Sequence, residues 1–129
     1  MKQYPIPIHM ECKSSSGKLR PSQKEQRQRI LKSGSIFIVV DRPSQLYDFF
    51  IDHGFNKHKI EFTDHERRLK WYKESEVKSF AKSYLKIMEK IYGIYWVINV
   101  QNIGSQLGRP DLYFEIPIIN QIEAGGGNE

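Results

Sequence analysis

The sequence predicts an α/β domain, a mixed central sheet of about four strands with helices on its faces. Three observations predict it. Residues 35–40 (SIFIVV) and 94–100 (IYWVINV) are short apolar runs of strand length, the pattern of strands buried on both faces. Val77, Phe80, Ala81, Tyr84, Leu85, Met88 and Ile91 recur at helical spacing within 74–92. Gly34, Gly54 and Gly93 fall where helical patterns stop. The 129 residues suit one domain. At 39% hydrophobic and 12% aromatic, the chain is too apolar to be disordered.

The elements follow in order. Residues 4–13 (YPIPIHMECK) read as extended, because Pro5 and Pro7 exclude a helix and Ile6, Ile8 and Met10 alternate with other residues. Proline there argues for a strand start or an edge. Ser14 to Gly17 is loop chemistry. Pro21 suits the first turn of a helix running to about Lys32. After the strand at 35–40, Asp41, Arg42 and Pro43 turn the chain, and Leu46, Phe49 and Phe50 mark a helix that Gly54 ends. Residues 54–73 read as a connector with some helix. Residues 74–92 form the clearest helix, with Lys78, Lys82, Lys86 and Lys90 four apart on another face. Strands follow at 94–100 and 111–119, Pro117 limiting the pairing of the last. Residues 1–122 make one domain, and 123–129 read as a flexible Gly-rich tail.

The net charge of +5 is unevenly spread: +6 over residues 1–33, −2 over 34–55, +4 over 56–92 and −3 over 93–129. Basic segments alternating with acidic ones suit a basic surface flanking a local acidic site, and nucleic acid is the partner this balance favours. The single cysteine, Cys12, excludes an internal disulfide framework and a four-cysteine zinc site. No apolar run approaches the ~18 residues a membrane span needs. The start has no signal-peptide core, so a reduced, intracellular setting is expected.

Two short elements carry chemistry. Pro110-Asp111-Leu112 opens a strand after Gly108-Arg109, and Glu11-Cys12-Lys13 closes the first strand. Phosphodiester hydrolysis needs an activated water and neutralised phosphate oxygens, which Mg²⁺ or Mn²⁺ supplies. Mg²⁺ takes hard oxygen ligands, typically one or two carboxylates with waters and substrate phosphate. Asp111 and Glu11 are the candidate pair, with the Cys12 carbonyl as a further ligand. Period-two alternation puts Lys13 on the side of Glu11, where it would hold the attacking water or the developing charge. Two other chemistries fit poorly. A zinc site from His9, Cys12, His53, His58 and His65 lacks regular spacing. A Cys12 nucleophile lacks an evident base.

This set resembles the virus-type replication-repair nuclease (VRR-NUC) domain of the PD-(D/E)xK superfamily. The matching pieces are Glu76 in a helix, Gly108-Arg109-Pro110-Asp111-Leu112, Met10-Glu11-Cys12-Lys13-Ser14, and Gly17 to Gln23 (GKLRPSQ) opening a helix. The order departs from the family, since Pro110-Asp111 lies downstream of Glu11-x-Lys13. Reading 74–119 first and 4–53 second restores it, so a circularly permuted, restriction-endonuclease-like core is expected, with 54–73 as the new connector. The resemblance implies a metal-dependent DNA endonuclease acting on branched DNA such as junctions or flaps, working as a homodimer. It implies Asp111, Glu11, Lys13 and Gln23 as catalytic residues and Glu76 as a further metal ligand. Lys18, Arg20, Lys24, Arg27 and Arg109 are the expected phosphate contacts. Two readings stand beside it. One is a non-catalytic nucleic-acid-binding domain. The other is a protein-interaction module using Phe55, Phe62, Trp71 and Tyr72.

Overall fold

The structure, a computed structural model, describes residues 6–92, the backbone of 97–100, and residues 111–116. Strand β1 (Ile6–Cys12) leads to helix α1 (Pro21–Lys32), strand β2 (Ile36–Val40) and helix α2 (Pro43–Asp52). A five-residue π-helical turn (His65–Leu69) precedes helix α3 (Glu74–Tyr92), strand β3 (Val97–Val100) and strand β4 (Leu112–Ile116). The expected tail at 123–129, and the ends assigned to the first and last strands, lie outside the described residues. No helix among the described residues is long and apolar enough to cross a membrane.

The strands form one mixed sheet in the order β2-β1-β4-β3. β1 runs parallel to β2, and the β1-to-β2 connection is α1, as parallel pairing demands. β4 pairs antiparallel with both β1 and β3. β1 is therefore central, not an edge. Its Pro7 is tolerated because pairing to β2 begins only at Ile8↔Ile36.

Alternation along the strands sorts the two faces. Ile8, Met10 and Cys12 of β1 join Leu112, Phe114 and Ile116 of β4 in the core beneath α2 and α3. α3 contributes Val77, Ala81, Tyr84, Leu85 and Met88, as its apolar stripe predicts, and α2 contributes Leu46, Tyr47 and Phe50. Both helices begin where local chemistry allows. α2 opens with Pro43, three residues earlier than its apolar spacing suggests, because proline fits the first helical position and needs no donor there. The opposite sheet face carries the buried Phe37 and the half-buried His9, Tyr113 and Glu115. There the His9 and Tyr113 rings meet edge to face, and the Tyr113 hydroxyl donates to Glu115 at 2.7 Å.

Residues 54–73 are more ordered than a plain connector. Phe55 and Tyr72 enter the core, and Ile60 and Phe62 pack against it. The Arg42 guanidinium donates to the carbonyls of Glu66, Arg67 and Lys70, at 3.4, 3.0 and 3.2 Å. The aromatic quartet expected as one contact surface is thereby divided: Phe55 and Tyr72 are buried, Phe62 is half-buried, and Trp71 alone is exposed.

Candidate functional site

The sheet register assembles the site. Met10 pairs with Leu112, so one further step along the antiparallel ladder sets Asp111 opposite Glu11. Asp111 is tied there by its Oδ2, which accepts the Cys12 backbone N–H at 2.9 Å. Glu11 and Lys13 share a side of β1, and the Lys13 ammonium lies 3.8 Å from Glu11 Oε2. Lys13 is held by its own N–H, which donates to the Val40 carbonyl at 2.9 Å.

Gln23 arrives from α1. With Arg20 at the N-cap, the helix has no capping hydroxyl or carboxylate. Gln23 supplies the return bond instead, its Oε1 accepting the Arg20 N–H at 2.8 Å. That bond fixes which end of the amide faces out, and Nε2 then donates to Glu11 Oε2 at 3.0 Å. Gly17 lets this turn close. A Cβ there would stand 3.1 Å from Lys13 Cβ, too tight unless Lys13 moved.

The electrostatics are unusual. Glu11, Gln23 and Lys13 are only 3%, 2% and 8% exposed. Burial pushes the Glu11 carboxyl up to about 8, and the charge of Asp111 and a hydrogen bond to its carboxyl group add to the rise. Among the described residues, none donates to Glu11 Oε1. An ionised Glu11 therefore has a desolvated, unpartnered oxygen and a like charge nearby, a cost that a proton or a cation relieves. Cys12 places its sulfur in the core, where burial raises the thiol to about 12, which disqualifies it as a nucleophile near neutral pH.

Two residues beyond the expected set complete the neighbourhood. The Lys78 ammonium lies 3.2 Å from Asp111 Oδ1 and 3.2 Å from Glu74 Oε2. Burial lowers its pKa, but its bonds to Asp111 and Glu74 outweigh that and the net shift is upward. Glu74, not Glu76, is the helix carboxylate the structure brings here. Glu76 is exposed and caps its own helix, accepting the Lys73 N–H at 2.9 Å. The signal was in the spacing. At 100° per residue Glu74 falls within the arc of the apolar stripe, whereas Glu76 points roughly 100° from its centre.

Lys18, Arg20, Lys24 and Arg27 are all exposed on or just before α1, and no ion pair among the described residues neutralises them. Arg109 lies outside the described residues.

The donor set fits a hard divalent cation. A buried, unpartnered carboxylate oxygen beside a second carboxylate matches the one or two carboxylates by which Mg²⁺ is typically held. Among the described residues no group of three or more His, Cys, Asp or Glu is arranged around a metal position. No family model, curated protein or solved structure matches the chain.

Proposed function

We propose that the chain is a Mg²⁺- or Mn²⁺-dependent DNA endonuclease with a circularly permuted PD-(D/E)xK core. The observation that carries this reading is Glu11: a buried carboxylate with one oxygen held by Gln23 and Lys13, and the other unpartnered beside Asp111. The topology supports it as well. Read from α3, the order is α3-β3-β4-β1-α1-β2-α2, in which three strands pair antiparallel in succession and the fourth is reached through a helix and lies parallel. That order is consistent with the one the resemblance implies, and the Gln23 bond to Glu11 Oε2, the oxygen nearest Lys13, supports the same reading.

Asp111 and Glu11 would hold the cation. When bound, the ion neutralises phosphate charge and lowers the pKa of a coordinated water. Water adds to phosphorus and the P–O3′ bond breaks, leaving a 5′-phosphate and a 3′-hydroxyl. Lys13 presents its ammonium on the Glu11 side, where it orients the water or offsets charge on the non-bridging oxygens. Gln23 Nε2 fixes the carboxylate plane of Glu11. Lys78 holds Asp111 in place through the ammonium 3.2 Å from its Oδ1. Branched DNA as substrate and a homodimer as the working form rest on the resemblance.

The test is cleavage of single-stranded, duplex, flap and four-way-junction DNA with Mg²⁺, Mn²⁺ or EDTA. Metal-dependent cutting is expected, with Asp111→Asn, Glu11→Gln and Lys13→Met each at least about a hundred-fold slower while remaining folded. DNA bound but never cut would make the chain a non-catalytic nucleic-acid-binding domain. Cutting undiminished in Asp111→Asn would remove the site altogether.

A further inference from the structure

Trp71 is 54% exposed, although the residues on either side of it are firmly held. Its neighbour Tyr72 is anchored to the turn that follows Lys13. The Ser15 N–H donates to the Tyr72 carbonyl at 3.0 Å, and the Tyr72 N–H donates to Ser15 Oγ at 2.8 Å. The preceding residue, Lys70, is held through its carbonyl by Arg42. The indole therefore stands out from a fixed backbone. It lies next to the residue pair that docks two positions beyond Lys13, and three residues before Glu74.

Its charged neighbours are disposed differently from the rest of the connector. Arg67 and Arg68 are paired with Asp48 and Asp64. Lys70 and Lys73, which bracket Trp71, make no ion pair among the described residues, and the Lys70 ammonium lies 4.9 Å from the centre of the Tyr72 ring. An exposed, backbone-fixed indole, with a lysine one residue before it and another two residues after it, presents a flat π-face in a basic stretch of chain. A nucleobase and its phosphates are the matching shape and charge.

We infer that Trp71, Lys70 and Lys73 form a stacking platform for an unpaired DNA base beside the Glu11–Asp111 pair. The inference rests on the nuclease reading for its neighbourhood, and it deepens that reading. The substrate is DNA with a single-stranded segment next to the cut, because bases within a continuous duplex have both faces covered by their neighbours. The two lysines meet the flanking phosphates and the indole meets the base.

The experiment is binding in EDTA, with no cutting required. A fluorescein-labelled oligothymidylate and a blunt hairpin duplex are titrated by fluorescence anisotropy. Trp71→Ala should weaken oligothymidylate binding about five- to a hundred-fold and leave the duplex unchanged. Trp71→Phe should keep most of the affinity. Trp71→Leu should lose it like alanine, which separates a π-face from mere apolar bulk. Lys70→Met and Lys73→Met should each reduce the salt slope for the single strand by about 0.7. Oligothymidylate that is not bound at all, that binds Trp71→Ala as tightly as the parent, or that binds Trp71→Leu like Trp71→Phe, would overturn the platform. A chain that binds unpaired DNA through Trp71 but never cuts would sink the nuclease reading and keep the platform. A chain that cuts but is indifferent to Trp71 would do the reverse.

Discussion

A carboxyl group that needs either a proton or a cation makes stability depend on both. Glu11 titrates at about 8 in the folded chain, against the ordinary value of 4.5 that it regains on unfolding. Between those values the folded state holds the extra proton, so in EDTA its stability falls as pH rises from about 4.5 through 8. Thermal melts across that window should show the decline, and Glu11→Gln should flatten it. Added Mn²⁺ should raise Tm more at the alkaline end, where no proton competes for the pair. Tyr84 is the second buried misfit. Its hydroxyl has no partner among the described residues, and burial pushes its pKa upward. Tyr84→Phe removes the desolvation cost and keeps the ring, so it should stabilise the fold by about 1 kcal/mol. Urea unfolding would read this as a higher midpoint with an unchanged slope.

Among the elements, legibility in the sequence followed the range of the forces. β1, α1, β2, α2 and α3 were readable because alternation, the 3.6-residue stripe, Pro21 and the closing glycines are local signals. Gly34 and Gly54 adopt φ of 86° and 91°, the left-handed backbone those helix ends require. Glu11, Lys13, Asp111 and Gln23 were readable as residue types at element ends, and the structure brings all four together. Lys78 and Glu74 were not singled out, because an i,i+4 pair on a lysine-rich helix looks like any solvated face until Asp111 stands opposite. The segment 54–73 was opaque for the same reason. Its order comes from Arg42, from the Ser15–Tyr72 bonds and from Phe55, all distant in sequence or unrelated to periodicity. Arg42→Met should therefore leave carbonyls in and after the π-helical turn without their donor. It should cost about 1–3 kcal/mol and quicken proteolysis within 63–71, measurable by limited trypsinolysis followed by mass spectrometry.

For the whole molecule, the pairing of Ile6 with Ile116 sets the start of β1 beside the end of β4. A rearranged chain in which residue 116 leads through a short turn to residue 6, opened at the exposed Lys59, should fold with the same circular dichroism and a cooperative melt. Loss of cooperative unfolding would show that the continuous connector is needed to assemble the sheet. The strand order has another consequence, for how the protein behaves in quantity. In the described sheet β2 has a strand on one side only, and it is a run of five uncharged β-formers, Ile36 to Val40, with Val39 40% exposed. Asp48 and Asp52 of α2 border the adjacent groove, and Asp41 and Arg42 follow the strand directly in the chain. A concentrated or slowly refolding sample would first clump by strand addition along β2, and replacing Asp48 and Asp52 with asparagine would hasten it.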